Sequence, residues 1–185
     1  GALVGVAALV RPQNALFLIL PAGEIAAAAW RRRRLAAGAA SLALLGLAAL
    51  VVATPQMATW QVFYGSPLAV PQNVDFQEMQ GHGFMQWLGP ALGPTLFSSF
   101  HGLFTWQPAA LLGLAGLATL WPRQRRRVGL ALLALALQIY LVASAGDWFG
   151  GGGFGPRRLD SLTPFLALGV AALVDLIPRP AWRWA

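Results

Sequence analysis

Long apolar stretches separated by short polar turns make up most of this sequence. Helices that are apolar all round are typical of a membrane interior, and the stretches lack the period-two alternation of half-buried strands. A helix needs about 20 largely apolar residues to cross the hydrocarbon core of a bilayer. The stretches that approach this length are residues 14–30, 35–53, 103–121, 128–146 and 161–177. We therefore predict an all-α integral membrane protein, a polytopic helix bundle of about five transmembrane helices.

The segments outside these stretches define the remaining organisation. Residues 1–10 are apolar but too short to span, which predicts a truncated first helix. Residues 54–102 form a long connection rich in aromatic side chains, which predicts a long outer loop containing short interfacial helices rather than a disordered segment. We expect residues 1–185 to form a single transmembrane domain that is part of a larger polytopic protein.

The composition supports a membrane location and removes several alternatives. Hydrophobic residues make up 57% of the 185 residues and charged residues only 10%, whereas soluble domains carry roughly 25% charged residues. The chain has no cysteine, which excludes disulfides and thiolate metal sites. All 13 basic residues are arginine, and the net charge is +7. Because these arginines lie beside apolar stretches and not on a polar surface, we predict no nucleic-acid partner.

The arginines fall into two groups when the predicted helices alternate across the membrane. The larger group consists of Arg31, Arg32, Arg33, Arg34, Arg123, Arg125, Arg126, Arg127, Arg179 and Arg183. Positive residues are enriched in cytoplasmic loops, so we predict a multi-pass protein of the bacterial inner membrane with these arginine-rich turns in the cytoplasm. We expect each arginine of this group to be replaceable by lysine. The smaller group, Arg11, Arg157 and Arg158, falls on the outer side, where positive charge is disfavoured.

The second predicted outer loop, residues 147–164, is the strongest candidate for a binding site. Its consecutive glycines allow backbone amides to approach a ligand, and its two adjacent arginines supply forked donors suited to phosphate. Its acids are suited to orienting the guanidinium groups or accepting a sugar hydroxyl. The candidate residues are Asp147, Trp148, Gly151, Gly152, Arg157, Arg158 and Asp160. The alternative is a flexible hairpin whose arginines contact lipid headgroups.

Two further residues outside this loop are candidates. Arg11 stands in VRPQN, between two apolar stretches, where it is placed either to hold a lipid phosphate or to extend its guanidinium toward the interface. His101 lies where the long loop returns to the membrane, either as a ligand-binding or acid–base group or as a structural side chain. No acid at a suitable spacing from His101 indicates a nucleophilic triad.

The remaining ionisable groups predict neither a metal site nor a cofactor. Asp75, Glu78 and His82 would share one helical face, but an exposed polar face explains them better than a divalent metal. Glu24 and Asp175 lie within apolar stretches near basic turns. We interpret both as members of interfacial ion pairs rather than as a proton path.

Four segments together resemble a known family. They are VRPQNALFLILPAGE, ATPQMATWQVFYGSP, LFSSFHGLFTWQPAALL and DWFGGGGFGPRRLDSLTPFLALG. In this order they resemble the later membrane half of the GT-C superfamily of polytopic membrane glycosyltransferases, the group that includes protein mannosyltransferase and aminoarabinose transferase-like enzymes (glycosyltransferase family 39-like).

The resemblance implies transfer of a sugar from a polyprenyl-phosphate carrier on the outer face of the membrane. Arg11 matches the position at which the family places a basic residue near the carrier phosphate, and Arg157 and Arg158 are second candidates for that role. The family's catalytic acid lies in a first outer loop that this sequence does not contain, so we assign no catalytic residue and expect this portion to be inactive alone. The alternative is a non-catalytic, structural or accessory subunit of a larger membrane complex. The expected partners are membrane lipids, a polyprenyl-phosphate-linked sugar and other membrane subunits.

Overall fold

The structure, a computed structural model, describes residues 1–69 and 83–177. It is mostly helical (74%), and the described residues contain no strand. The α-helices are α1 (Ala2–Val10), α2 (Ile19–Arg31), α3 (Leu35–Tyr64), α4 (Leu92–Phe97), α5 (Leu103–Trp106), α6 (Ala109–Ala143) and α7 (Thr163–Val174), with 3-10 helices at Pro12–Leu18 and Arg157–Leu162. The residues weighed above as a metal site, Asp75, Glu78 and His82, lie outside the described residues, as do Arg179 and Arg183.

Within residues 1–69 and 83–177, two helices are long and apolar enough to cross a membrane. They are α3, with 30 residues and a mean hydropathy of 2.3, and α6, with 35 residues and a mean hydropathy of 1.6. α3 extends beyond the predicted end at residue 53. The hydroxyls of Thr54 and Thr59 donate hydrogen bonds to the main-chain oxygens four residues earlier. Gly65 ends the helix in the left-handed conformation at φ 70°. The apolar helices agree with a membrane protein.

α6 is a helical hairpin. Gln124 has non-helical backbone angles (φ −137°, ψ 40°), so the chain bends within the arginine-rich segment that follows Pro122. The bend returns the far end of α6 to the neighbourhood of its start. Ala91, the residue before α4, donates its backbone N–H to the carbonyl oxygen of Ala143 at 2.8 Å, and α4 packs against α5 just before α6 begins. The two predicted helices joined by a basic turn are therefore present as the two arms of α6.

Besides α3, three further predicted helices differ from the sequence prediction. The helix expected from residue 103 is interrupted, because Gln107 leaves the helical region (φ −129°, ψ 68°) and Pro108 caps the start of α6. The helix expected over residues 14–30 is divided at Ile19 into a 3-10 helix and α2, and Pro21 lies in the first turn of α2, where a missing N–H is tolerated. The last helix, α7, has 12 residues, fewer than the roughly 20 that span a bilayer.

Glycines bring α6 and α7 into close contact. A Cβ added at Gly113 would lie 2.7 Å from the carbonyl oxygen of Leu166, and a Cβ at Gly116 would overlap the carbonyl group of Gly169. Small residues permit this approach of two backbones. Gly38 makes a similar contact with Ala29 of α2, whereas no heavy atom of the described residues lies within 4 Å of the Cβ position of Gly46. The buried core that results consists of Leu103, Ala110, Leu117, Val128, Leu135, Val142, Leu159, Leu162 and Leu166.

Candidate functional site

Arg11, Arg157 and Arg158 surround a single cavity. It has a volume of about 520 Å³, and we call it the arginine cavity. Its lining residues are Val10, Arg11, Pro12, Gln13, Asp147, Gly150, Gly151, Arg157 and Arg158. The structure thus brings together the three arginines predicted from the sequence to lie on the outer side, from segments at opposite ends of the chain.

The first wall of the cavity is the extended link between α1 and the 3-10 helix at Pro12–Leu18. Arg11 has extended backbone angles (φ −146°, ψ 115°), which end α1 and direct its side chain toward the loop. Its guanidinium donates a hydrogen bond to the main-chain oxygen of Arg157 and lies 3.5 Å from a carboxylate oxygen of Asp160. The side-chain amide of Gln13 donates to the main-chain oxygen of Arg158 at 2.6 Å. These bonds fasten residues 11–13 to the arginine pair.

Asp147 orients Arg158 on the second wall. The Arg158 guanidinium pairs with Asp147 Oδ2 and donates from Nε to the Asp147 main-chain oxygen at 3.0 Å. Its Cζ lies 5.7 Å from the centroid of the Phe84 ring, within cation–π distance. The second carboxylate oxygen of Asp147, Oδ1, is buried and accepts no hydrogen bond from the described residues. An unpartnered buried acceptor is unfavourable, so a hydrogen-bond donor that reached Oδ1 would stabilise this wall.

The glycine-rich loop shapes the cavity around Arg157. Gly150 and Gly151 adopt left-handed angles (φ 74° and 77°), which residues with a side chain rarely adopt. The Arg157 guanidinium donates to the main-chain oxygen of Gly150, and a Cβ at Gly153 would lie 2.5 Å from Arg157 Nε. Arg157 forms no ion pair within the described part of the chain. The arginines therefore outnumber the two aspartates by one positive charge, and Arg157 carries it.

An apolar groove continues from the arginine cavity. A second cavity of about 500 Å³ shares Pro12, Gln13 and Arg158 with it. The other lining residues of this second cavity are Leu9, Gln56, Trp60, Ala69, Phe84, Met85, Trp87 and Leu141. A third cavity, of about 320 Å³, shares Leu9, Pro12, Gln56 and Trp60 with the second and is otherwise lined by apolar residues, chiefly of α1 and α3. We call the second and third cavities together the tail groove.

Sequence reasoning missed the residues of the tail groove. Gln56 and Trp60 are separated by four positions, which places them on one face of α3. Their spacing was a usable signal, but the prediction ended this helix at residue 53. Phe84 and Trp87 reach the groove because their segment is hydrogen-bonded to the end of α6, where the Phe84 oxygen accepts from Gly146 N–H at 2.7 Å. No local pattern indicates that contact.

The other candidate residues do not line the arginine cavity. His101 is buried between the rings of Phe100 and Trp106, and its Nδ1 has no partner among the described residues. The Trp148 ring packs edge-on against Phe149. Gly152 has nothing within 4 Å of its Cβ position. Asp160 reaches the site through its contact with Arg11.

The basic turns form a separate group. Arg31 lies beside Arg123, Arg125, Arg126 and Arg127 around a small polar cavity. Glu24 belongs to an ion pair, as expected, and its partner is Arg126, which donates from Nε to Oε1 at 2.9 Å and from a terminal nitrogen to Oε2. Residues 125–143 separate this group from the segment holding Asp147, a length of roughly 28 Å at about 1.5 Å per residue. The two arginine groups thus lie at opposite ends of one helix arm.

No protein-family model, curated protein or solved structure matches this chain. The arginine cavity, the tail groove and their residues are the features that bear on its function.

Proposed function

We propose that the arginine cavity binds the phosphate of a polyprenyl-phosphate-linked sugar. On this proposal the chain is the carrier-binding portion of a GT-C-like glycosyltransferase and is inactive as this portion alone. The observation that carries the proposal is the meeting of Arg11, Arg157 and Arg158 around one cavity that shares Pro12, Gln13 and Arg158 with an apolar groove. The GT-C resemblance of the four segments supplies the substrate class.

The head and tail of such a carrier have matching surfaces. Guanidinium groups bind phosphate oxygens through charge-assisted hydrogen bonds, and Arg157 has no carboxylate partner in the described residues. The tail groove begins at Arg158 and continues between α1 and α3, where Leu9 and Trp60 offer apolar contact to a prenyl chain. An inorganic anion would leave this groove without a role.

The sugar has two candidate contacts. Asp147 Oδ1 is a buried acceptor on the cavity wall and is suited to a sugar hydroxyl. Gly151 lines the same cavity and has no side chain, so its backbone is available to contact the sugar. We expect His101, Trp148 and Gly152 to contribute by holding the loop rather than by contacting the phosphate, since they do not line the cavity.

The proposal also fixes the orientation in the membrane. We propose a multi-pass protein of the bacterial inner membrane with about five transmembrane helices, with the basic turns in the cytoplasm and the arginine cavity on the outer face. The separation of roughly 28 Å along residues 125–143 supports this arrangement, because the hydrocarbon core is about 30 Å thick.

A photoreactive polyprenyl phosphate tests the proposal on the unmodified chain. With a diazirine on the prenyl tail, we expect crosslinks at Gln56 and Trp60, which line the groove. Leu44 and Leu47 provide the internal comparison, because they lie on the same helix and line neither part of the groove. Crosslinks spread equally over these four positions would show ordinary bilayer contact and would contradict the proposal.

A second candidate function is an accessory subunit of a larger membrane complex. It is favoured by the surface of α3, where Leu44 and Val51 are 66% and 62% exposed. Lipid or another subunit would cover such a surface. Site-specific crosslinking from Leu44 in native membranes distinguishes the two candidate functions. An accessory subunit would give one discrete crosslinked protein, whereas a transferase portion without a protein partner on this surface would give crosslinks to lipid.

A further inference from the structure

The arginines of the basic turns form a second built cavity. Arg31 is the last residue of α2, and Arg123, Arg125, Arg126 and Arg127 surround the bend of α6 at Gln124. These six residues line a cavity of about 250 Å³, which we call the turn cavity. Apart from the Gln124 amide, every side chain on its wall is a cation.

Glu24 holds the turn cavity in place. Both carboxylate oxygens of Glu24 accept hydrogen bonds from Arg126, which ties the bend of α6 to α2. Arg127 and Arg31 interact with the same carboxylate at longer range. This contact between the two helices therefore holds the end of α2, with Arg31, beside the arginines of the bend.

The turn cavity carries uncompensated positive charge. Arg31, Arg123, Arg125 and Arg127 form no ion pair within residues 1–69 and 83–177. Like charges held close together repel one another, so an anion that binds between them is stabilised. Guanidinium groups match the oxygens of a phosphate in pairs. The cavity has the volume of roughly eight waters, at about 30 Å³ each, which accommodates a phosphate ester.

Tryptophans beside the cavity indicate the depth of lipid headgroups. Trp30 precedes Arg31 and is 76% exposed, and Trp121 precedes the bend and is 44% exposed. Exposed tryptophans next to apolar helices are enriched at the membrane interface. Basic pockets between helices at this depth bind phosphate-bearing headgroups.

We infer that the turn cavity is a binding site for the phosphate of an anionic phospholipid. Its ligand is a phosphate ester held by two or more of Arg31, Arg123, Arg125 and Arg127, with the acyl chains beside α2 and the arms of α6. The site is distinct from the arginine cavity, and Arg126 serves it by positioning the bend.

Binding of diphosphatidylglycerol in mixed detergent micelles tests this inference with two matched triple variants of the full chain. Arg123→Gln/Arg125→Gln/Arg127→Gln removes three cavity arginines, and Arg32→Gln/Arg33→Gln/Arg34→Gln removes three arginines of the neighbouring turn that do not line the cavity. We expect the first variant to bind diphosphatidylglycerol at least tenfold more weakly than the second. Equal losses in both variants, or no loss in either, would overturn the inference.

Two further measurements distinguish the phosphate sources and need no variant. Mass spectrometry after phenylglyoxal treatment reports which arginines a ligand protects. We expect diphosphatidylglycerol to protect Arg123, Arg125 and Arg127 more than Arg32 and Arg34, and phosphatidylcholine to protect none. Inorganic pyrophosphate, at the same phosphate concentration, serves as the soluble comparison. If it protected these arginines as well as diphosphatidylglycerol does, the ligand would be a soluble phosphate and the lipid assignment would be overturned.

Discussion

The guanidinium of Arg11 donates a hydrogen bond to the main-chain oxygen of Arg157, although 146 positions separate these residues in the sequence. This bond joins the link after α1 to the loop before the second 3-10 helix and closes one wall of the arginine cavity. One nitrogen of Arg11 donates to the main-chain oxygen of Arg157, and another forms an ion pair with Asp160. The cavity arginines are therefore positioned before a ligand binds. Preorganised donors of this kind lose little conformational freedom on binding.

Asp147 should distinguish the glycosylated carrier from the free carrier. In Asp147→Ala the acceptor Oδ1 is lost, and we expect the preference for polyprenyl-phosphate-linked sugar over polyprenyl phosphate to fall at least tenfold, since one hydrogen bond to a charged group contributes about 1.5–3 kcal/mol. Comparing the two ligands on one variant cancels the effect on Arg158. Asp160→Ala is the control, since Asp160 pairs with Arg11 outside the cavity lining. An unchanged preference in Asp147→Ala would remove Asp147 from sugar binding.

The contact between α6 and α7 should be sensitive to a single methyl group. We expect Gly116→Ala to lower the free energy of unfolding by about 1–3 kcal/mol, because its Cβ would overlap the carbonyl group of Gly169. Gly46→Ala is the matched control, with open space at its Cβ position, and should be neutral or stabilising by up to about 1 kcal/mol through helix propensity. Denaturant unfolding followed by far-UV circular dichroism measures both. Equal effects of the two substitutions would contradict the packing described here.

Arg126 should be the exception to lysine replacement among the basic turns. A lysine ammonium cannot donate to both Glu24 oxygens in the forked geometry, so we expect Arg126→Lys to lower the thermal midpoint. Arg125→Lys should leave the midpoint unchanged, since Arg125 forms no ion pair in the described residues. The sequence alone indicates that each of the ten basic-turn arginines can be replaced by lysine, and the structure makes Arg126 an exception. Equal midpoints in the two variants would contradict this exception.

Arg33 should be a site of simple stabilisation. It follows the C-cap residue of α2 and has a left-handed backbone (φ 51°). The backbone N–H groups of Arg33 and Arg34 donate hydrogen bonds to the main-chain oxygens of Trp30 and Ala29, respectively, as in a Schellman motif. Glycine adopts this conformation without a Cβ penalty, so we expect Arg33→Gly to raise the free energy of unfolding by roughly 0.5–1 kcal/mol. Arg34→Gly should not do so, because Arg34 lies outside the left-handed region. A loss of stability in Arg33→Gly would contradict this backbone assignment.

The sequence predicted the helical framework better than the helix boundaries. Apolar periodicity and the basic turn anticipated both arms of α6, because these features are local. The sequence did not predict the break at Gln107, because a proline is acceptable in the first turn of a helix and Pro108 was placed in such a turn. The structure shows instead that α5 ends at Trp106 and that α6 begins after Pro108. α3 was predicted too short because Thr54, Pro55 and Gln56 resemble a loop in isolation.

The site was predictable only in part, for a similar reason. Charge sidedness singled out Arg11, Arg157 and Arg158, and the structure places them around one cavity. The tail groove depends on how α1 packs on α3 and on how the segment of Phe84 pairs with the end of α6. Such contacts between distant segments leave no periodic signal in one sequence.

The affinity of Arg157→Gln for polyprenyl phosphate tests the central claim most directly. Arg157 is the cavity arginine without a carboxylate partner in the described residues, so its loss removes charge without exposing an acid. We predict that Arg157→Gln binds polyprenyl phosphate at least tenfold more weakly than the unmodified chain, the value of one charged hydrogen bond, whereas Arg34→Gln, with the same change in charge, binds it normally. Equal affinity in the unmodified chain and Arg157→Gln would contradict the account.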